Sequence, residues 1–361
     1  MSLKQIASIT GLSISTVSHA INGTRAVSAQ NSAVVLAAAE KIGYRPNIAA
    51  RMLKTQKSNT IALIIPNGEN NLSANYFYMD ALMGVRRKLM EAGYELIVST
   101  YGMVSSGEKS ISALQVLRNQ WVDGVILVPS YKSDKQISVL VEELGLPFVL
   151  LDRRANNYEC SCVDSDNEKG ARDAVKLLAS CGRTRIGYIG GGLATSTGRQ
   201  RYNGYRSAIT ELGMNYDETL VKLHNSFSVT AGIQSAAELV DSGADALFAA
   251  DNTVMLGAVQ FLNRQGISIP DKVALVGYDD YEWMDMLNPP ITTVRQQAGQ
   301  MGYIAAEMIL HKLNGIDANE KIVLETSLVL RKSHGTVRAQ SADVSTLESV
   351  DEDIADLGLT G

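Results

Sequence analysis

Polar and aromatic side chains recur where apolar segments of the sequence end, in a combination that suits the recognition of a sugar. The set consists of Tyr76, Phe77, Tyr78, Asp152, Arg201, Asp251, Asp279 and Gln296. Carboxylates and amides exchange hydrogen bonds with adjacent hydroxyl groups, an arginine bridges two oxygens, and aromatic faces cover the C–H surface of a sugar ring. Any single Asp of the set could instead cap a helix or anchor a loop, but the set as a whole predicts a binding site for a small polar molecule.

A second set of residues, near the N-terminus, suits contact with DNA. Ala7 is small enough to lie where two helices touch, and Gly11 can adopt the positive φ of a tight turn. Leu12, Val17 and Ile21 are spaced to anchor a second helix on an apolar core. This pattern is typical of a helix-turn-helix, whose second helix would present Ile14, Ser15 and His19 to a major groove.

Catalytic and metal chemistry find little support in the sequence. A strand pattern runs into Gly190, Gly191 and Gly192, but a dinucleotide-binding fingerprint requires glycine at position 195, where Thr195 stands. Cys160 and Cys162 have neither the usual metal-ligand spacing nor a nearby histidine. We therefore expect no cofactor, no metal and no enzymatic activity.

The distribution of charge separates three regions of the chain. Residues 1–59 contain seven Lys or Arg and one Glu, whereas residues 339–361 contain six acidic residues and no basic one. The formal net charge of the whole chain is −5. A basic N-terminal region can contact DNA phosphates even in an acidic protein.

No apolar stretch approaches the ~18 residues of a membrane helix, and no signal peptide is apparent, so we expect a cytoplasmic protein.

The elements that must carry these residues fall into two types. Capping residues and glycines predict three short helices within residues 2–43, beginning after Ser2, Ser13 and Ser28. From Thr60 onwards, apolar strands alternate with helical patterns of about 15 residues, which indicates a parallel sheet covered on both faces.

This α/β series occurs twice. Gly84 and Gly93 are separated by the same interval as Gly204 and Gly213, and both pairs lie in predicted helices that follow a strand. The matching segments 122–127 and 244–249 come about forty residues later in each half. The period of about 120 residues predicts two similar lobes, with a ligand between the C-terminal ends of their strands.

The run from Ser13 to Asn22, together with Val27-Ser28 and Ile42-Gly43-Tyr44-Arg45-Pro46-Asn47, resembles the lactose-repressor/galactose-repressor family of bacterial transcription regulators. The resemblance extends to about residue 338. It implies a small all-α helix-turn-helix head and an α/β two-lobed, periplasmic-binding-protein-like body. It also implies a hinge helix that folds only on DNA, whose leucine, here Leu53, inserts into the minor groove. The DNA-contacting residues would be Ser13, Ile14, Ser15, Thr16, Ser18, His19, Asn22, Asn47, Arg51, Leu53 and Lys54.

The resemblance also ranks the ligand contacts, and two departures affect them. Arg201 and Asp279 would be the strongest effector contacts, followed by Asp152 and the aromatic residues 76–78, with Gln296 weaker. The segment 66–75 is longer than usual, and the order Asp251-Asn252 is the reverse of the common one. Arg153, Arg154 and Arg199 could favour an anionic effector or could be surface charges.

The head departs from the family pattern as well. His19 stands where relatives often carry an arginine, and it cannot form the bidentate contact that an arginine makes to guanine. Ile14 replaces a more usual polar or aromatic residue and could contact a thymine methyl group. The preferred operator half-site is therefore expected to differ from that of well-known members.

We expect a DNA-binding domain at residues 1–46, a hinge at 47–59, an effector-binding and dimerisation body at 60–338, and an acidic tail at 339–361. The first lobe would hold about 60–160 and 291–323, and the second about 161–290 and 324–338. The expected function is a homodimeric repressor that binds pseudo-palindromic double-stranded DNA and answers to a sugar or sugar derivative. The alternatives are a sugar-binding protein without a DNA role and a regulator controlled by a protein co-regulator.

Overall fold

The computed structural model describes residues 2–22, 25–44, 57–67, 76–102, 115–118, 121–129, 140, 144–155, 158–225, 228–316 and 319–337. The chain divides after Ser58 into two compact units, the head and the body. The predicted hinge residues Asn47, Arg51, Leu53 and Lys54, the long segment 68–75 and the acidic tail lie outside the described residues. Within the described ranges, no helix combines the length and apolarity needed to cross a membrane.

The head consists of helices α1 (Leu3–Thr10), α2 (Ile14–Asn22) and α3 (Ala29–Lys41). The predicted capping box is present, with Ser2 and Gln5 bonding reciprocally, and Gly11 ends α1 at a φ of 70°. The side chain of Ser28 caps α3. Ile6, Val17 and Val35 are fully buried and form the centre of a small core. Ala7, predicted at the helix contact, and the predicted anchors Leu12 and Ile21 pack around them.

Within its described residues, the body contains twelve strands and seven α-helices. The strands are β1 (Thr60–Asn67), β2 (Glu95–Gly102), β3 (Gly124–Leu127), β4 (Phe148–Leu151), β5 (Cys162–Ser165), β6 (Ile186–Gly191), β7 (Val221–His224), β8 (Ala246–Ala249), β9 (Ala274–Tyr278), β10 (Thr292–Arg295), β11 (Lys321–Leu324) and β12 (Ser327–Val329). The helices are α4 (Tyr76–Glu91), α5 (Gln115–Arg118), α6 (Asn167–Ser180), α7 (Ser196–Glu211), α8 (Val229–Asp241), α9 (Asn252–Arg264) and α10 (Ala298–Leu313).

The strands form two sheets with the same connectivity, which confirms the predicted duplicated α/β fold. The first sheet has the order β11-β5-β4-β3-β1-β2, and the second has β12-β10-β9-β8-β6-β7. All neighbours are parallel except β12, which runs antiparallel to β10. Strands β4 and β9 therefore occupy equivalent positions, as do β3 and β8. Equivalent strands should place equivalent residues at the cleft.

Side-chain alternation along β1 shows why both faces of the first sheet are covered. Ile61, Leu63 and Ile65 join the core under α4 and α10, whereas Ala62 and Ile64 join the core on the opposite face. All five side chains are buried. A continuous apolar run is what a parallel strand buried on both faces requires.

The repeated glycines have a steric cause. A Cβ on Gly84 would overlap the backbone carbonyl of Gly299 in α10, and a Cβ on Gly204 would overlap that of Glu168 in α6. Each glycine thus permits the close contact of two helices. Gly93 and Gly213 do not lie inside helices as predicted, because each follows a helix at a positive φ. They end the helices rather than pack them.

The predicted lobe boundaries were wrong at two crossovers. Strand β5 belongs to the first sheet although residues from 161 onwards were assigned to the second lobe. Strand β10 belongs to the second sheet although residues from 291 onwards were assigned to the first lobe. In both cases the chain completes a fifth parallel strand before it crosses, and composition does not mark that strand as the end of a lobe.

Candidate effector site

The side chain of Arg201 forms the centre of the cleft between the lobes. It is 8% exposed, and its guanidinium lies 3.7 Å above the ring of Tyr278. Its Nη1 donates to the carbonyl of Ala250 at 2.8 Å, and its Nε donates to Oδ1 of Asn167 at the same distance. These contacts fix the plane of a buried cation in a site that Asp152, Asp251 and Asp279 also surround electrostatically.

Asp152 and Asp279 follow the equivalent strands β4 and β9 with nearly the same backbone geometry. Their φ angles are 69° and 68°, in the left-handed region that few residues other than glycine adopt. The N–H of Asp152 donates to the carbonyl of Val163, and that of Asp279 donates to the carbonyl of Val294, both at 2.9 Å. Each turn directs the chain out of the sheet and places one buried carboxyl group in the cleft.

Burial controls the protonation of these groups. It raises the pKa of Asp279 to about 6, while Arg201 opposes the shift. Burial also raises the pKa of Asp152 and of Asp251, again opposed by the same guanidinium. Burial alone would lower the pKa of Arg201, but Tyr278 and the carboxylates outweigh it, so that group stays protonated. The cleft therefore holds a permanent cation among carboxyl groups of reduced acidity.

Of the three cleft carboxylates, Asp251 has the clearest structural role. Its Oδ1 accepts from the N–H groups of Thr253 and Val254 at the start of α9. Asp251 therefore caps this helix, which is the alternative role considered for any single Asp of the set. The amide of Asn252 donates to the hydroxyl of Tyr281 at 2.6 Å. By contrast, Asp279 caps no helix and accepts from the amide of Gln296 at 2.6 Å.

The aromatic residues divide between the interior and the rim. Phe77 and Tyr78 are buried at 6% and 7% exposure and pack edge to face. Tyr76 is 48% exposed, and its ring lies 5.0 Å from that of Tyr281 in the second lobe. Trp283 stacks on Tyr281 at 6.0 Å. The sequence pattern did not identify Tyr281 or Trp283, although both follow the Asp279-Asp280 pair closely.

Two of the arginines near the cleft lie against carboxylates, and a third bonds to a backbone carbonyl. Arg153 Nε lies 3.4 Å from Asp152 Oδ2, and Arg154 Nε donates to Asp164 Oδ2 at 2.7 Å. Arg199 donates to the carbonyl of Leu193 at 2.9 Å. These pairings supply a counter-charge for the two arginines of the first lobe.

Asn167 and Asp164 are further cleft residues that sequence reasoning missed. Both are 1% exposed, and they lie at the crossover from β5 to α6. Placing the lobe boundary at residue 161 concealed them, because it assigned both to the start of the second lobe. The available signal was Asp164, a charged residue inside the short buried strand that ends at Ser165.

In the head, the residues predicted to contact DNA share one helix. Ser13 precedes α2 and accepts from the N–H of Thr16 at 3.1 Å, and its hydroxyl also bonds to that of Ser15. Ile14 is 46% exposed. Ser18 and His19 are partly exposed on the same helix, and Asn22 is its last residue. The DNA-contacting roles of these residues remain predictions.

Comparison with known proteins decides the family. A family model of bacterial regulatory proteins of the lacI family matches residues 2–47, and a periplasmic binding protein-like domain matches residues 175–334. The HTH-type transcriptional regulator CelR of Thermobifida fusca is 34% identical over 336 residues, which cover 92% of this chain and 97% of that protein. The ribose operon repressor of Haemophilus influenzae is 30% identical over 337 residues, or 92% and 98% of the two chains.

The chain belongs to the LacI family. It is a DNA-binding transcriptional regulator, as are these relatives. Among solved structures, a complex of the transcriptional regulator CelR with cellobiose matches this LacI-family chain with a TM-score of 0.71 and 33% identity, over 92% of this chain and 99% of that one. A lac repressor dimer bound to operator matches with a TM-score of 0.81 at 24% identity, over 93% and 99% of the chains, and supports the fold.

Proposed function

We propose that this LacI-family regulator is a homodimeric repressor whose affinity for its operator is controlled by a neutral sugar bound between the two lobes. The central observation is the buried guanidinium of Arg201, held in a fixed plane and faced by carboxyl groups from both lobes. The paired N–H donors of an arginine and the oxygens of carboxylates together complement vicinal hydroxyl groups, which both donate and accept hydrogen bonds. We further propose a cytoplasmic protein that acts by binding and not by catalysis.

The charge balance of the cleft supports a neutral effector over an anionic one. Arg153 and Arg154 lie against Asp152 and Asp164, and Asp251 and Asp279 offset Arg201. A phosphorylated sugar would add two negative charges to a cleft in which the carboxyl groups already equal the guanidinium groups in number. Of the two alternatives open from the sequence, the neutral effector is the better supported.

The aromatic residues at the rim of the cleft suggest how many rings the sugar has. The rings of Tyr76, Tyr281 and Trp283 lie next to one another outside the polar centre. Aromatic faces at the edge of a polar site suit a second sugar ring. The relative CelR has been solved with cellobiose, so β-linked glucose disaccharides are the first candidates for this chain.

A thermal-shift screen of the full chain tests the effector class. The panel contains cellobiose, maltose, glucose, glucose 6-phosphate, gluconate and adenine. We expect a neutral disaccharide to raise the Tm by the largest amount, because a ligand that binds only the folded state stabilises it. A larger shift with glucose 6-phosphate than with every neutral sugar would contradict the proposal of a neutral effector.

Salt dependence separates the proposed DNA role from sugar binding alone. DNA binding by the basic head releases counterions and should weaken steeply between 50 and 200 mM salt, on the order of tenfold or more. Binding of a neutral sugar should hardly change over that range.

We also expect His19→Ala to alter which DNA sequences are preferred and Lys54→Ala to weaken binding to all of them together. Identical sequence profiles for the wild type and His19→Ala would refute the role of His19 in specificity.

A further inference from the structure

Asn167, the first residue of α6, lies between Arg201 and a buried carboxyl group. Its Oδ1 accepts from Arg201 Nε at 2.8 Å and from the hydroxyl of Tyr278 at 3.1 Å. Its Nδ2 lies within hydrogen-bond distance of Asp164 Oδ1 at 3.2 Å, the carbonyl of Ser165 at 3.0 Å and Gln200 Oε1 at 3.2 Å. The amide thus faces donors with its oxygen and acceptors with its nitrogen.

This arrangement permits one orientation of the amide. If the amide were reversed, Nδ2 would face the guanidinium and Oδ1 would face three oxygens. Such a reversal would leave several buried polar groups without complementary partners. The acceptors around Nδ2 therefore determine which way Oδ1 points, and Oδ1 in turn holds the guanidinium of Arg201.

The groups that orient Asn167 come from both lobes. Asp164 and Ser165 belong to β5 of the first sheet, whereas Gln200 lies in α7 of the second lobe. Arg201 and Tyr278 also belong to the second lobe. Asn167 itself begins the helix that follows the crossover. A relative movement of the lobes must change at least one of its contacts.

The carboxylate of Asp164 supports this network and does not offer itself to a ligand. Its Oδ1 accepts from the N–H of Ser165 at 2.8 Å and from Asn167, and its Oδ2 accepts from Arg154 Nε at 2.7 Å and Gln200 Nε2 at 3.2 Å. These four bonds occupy both oxygens. The side chain is 1% exposed.

We propose that Asn167 is a positioning residue, which holds Arg201 in the orientation that binds the effector and links that orientation to the crossover between the lobes. The inference rests on the proposed function, because it takes Arg201 to be an effector contact. It assigns to Asn167 no contact with the effector itself.

Asn167→Asp tests the proposal because it keeps the shape of the side chain and replaces its donor with an acceptor. The new carboxylate would retain the contact to Arg201 and Tyr278, but its second oxygen would face Asp164, the carbonyl of Ser165 and Gln200. At pH 8 two carboxylates would repel one another, and at pH 5.5 a proton shared between them would restore the bond. Asn167→Ala removes the contact without this pH dependence.

The measurement is calorimetric titration of the full chain with cellobiose at pH 8 and pH 5.5, each variant being compared with the wild type at the same pH. We expect Asn167→Asp to bind about tenfold more weakly or worse at pH 8 and within about threefold of the wild type at pH 5.5. Asn167→Ala should bind about tenfold more weakly at both values. Asn203→Asp, an identical change at an exposed position of α7, should bind like the wild type.

The Tm of each variant without sugar supplies an independent readout. Asn167→Asp should have a lower Tm than Asn167→Ala at pH 8, and the order should reverse at pH 5.5. If Asn167→Asp does not fold at pH 8, the uncharged variant Asn167→Ser takes its place in the titration, with about tenfold weaker binding expected.

Each outcome bears on one of the two proposals. Sugar binding that is lost in Arg201→Ala but unchanged in the Asn167 variants overturns the positioning role and leaves the proposed function intact. Binding that survives Arg201→Ala overturns both. If the wild type binds no sugar of the panel, the effector class is wrong, and the Tm comparison alone decides whether Asn167 couples to Asp164. Failure of that Tm reversal would overturn the coupling.

Discussion

Asp152 in the first lobe and Asp279 in the second follow equivalent strands, yet their side chains meet different neighbours. Both adopt a φ near 70° and both donate a backbone N–H to the next strand of their sheet. Asp152 lies against Arg153 of its own lobe, whereas Asp279 accepts from the amide of Gln296, and the guanidinium of Arg201 acts electrostatically on both carboxyl groups. The repeated fold accounts for where the carboxyl groups lie, and their different neighbours make the site asymmetric.

The largest expected difference between the lobes concerns their arginines. Arg201→Ala should weaken sugar binding more than about hundredfold, because it removes a buried charge-assisted donor at the centre of the cleft. Arg153→Ala should weaken it about tenfold or less, since its guanidinium also donates to the carbonyl of Pro129. Calorimetric titration measures both. Arg264→Ala, at an exposed position of α9, is the control, and equal losses for Arg153 and Arg201 would refute the asymmetry.

The helix-contact glycines should behave alike in the two lobes. Gly84→Ala and Gly204→Ala should each lower the free energy of unfolding by more than about 2 kcal/mol, since the new methyl group would overlap backbone atoms of a neighbouring helix. Chemical denaturation gives this quantity. Gly299→Ala is the matched control, because its Cβ would come no closer than 3.6 Å to the carbonyl of Asp80. If the control were as destabilising as Gly84→Ala, the steric explanation would fail.

The paired carboxyl groups should respond to the loss of charge to different degrees. Asp279→Asn should raise the Tm of the sugar-free protein at pH 7.5 by about 2–4 °C, because it removes a charge whose burial is unfavourable. Asp152→Asn should raise the Tm by less, since burial also raises the pKa of Asp152 but the nearby Arg153 offsets part of the cost of burying its charge. Differential scanning calorimetry distinguishes the two. Equal Tm changes in both variants would show that their different neighbours do not matter.

The pH dependence of stability gives the smallest effect. Burial raises the pKa of Asp164 and Asp279 from 3.8 to about 6, so the folded body binds these protons more tightly than the unfolded chain. The resulting stability is complete below about pH 4 and is lost as the pH rises through about 6. Relative to Asp279→Asn, the wild type should therefore gain Tm between pH 7.5 and pH 5.5. Parallel curves of Tm against pH would contradict the raised pKa of Asp279.

Local patterns in the sequence were sufficient to predict most of the fold. The capping box at Ser2 and Gln5, the turn at Gly11 and the strand at Ile61–Ile65 are each determined by neighbouring residues. The recurrence of Gly84 and Gly204 reflected a real packing constraint. The crossovers could not be predicted in this way, because a strand shows no local sign of which sheet it will join.

The same limit applies to the candidate site. Residues such as Asp152 and Asp279 were identifiable because each follows an apolar strand. Asn167 was missed because its importance comes from five groups on three other elements, which only the three-dimensional arrangement brings together. Tyr281 and Trp283 were missed for a related reason, since the contact of Tyr281 with Tyr76 depends on the approach of the two lobes and Trp283 stacks on Tyr281.

Coupling between the cleft and DNA binding by the head would appear as a change in operator affinity when the sugar binds. Fluorescence anisotropy would follow the binding of the full chain to a DNA site selected from a random library, with and without saturating cellobiose. We expect the sugar to change the Kd for DNA at least about fivefold in the wild type and to leave it unchanged in Arg201→Ala. A wild-type Kd for DNA that is the same with and without bound sugar would contradict this coupling.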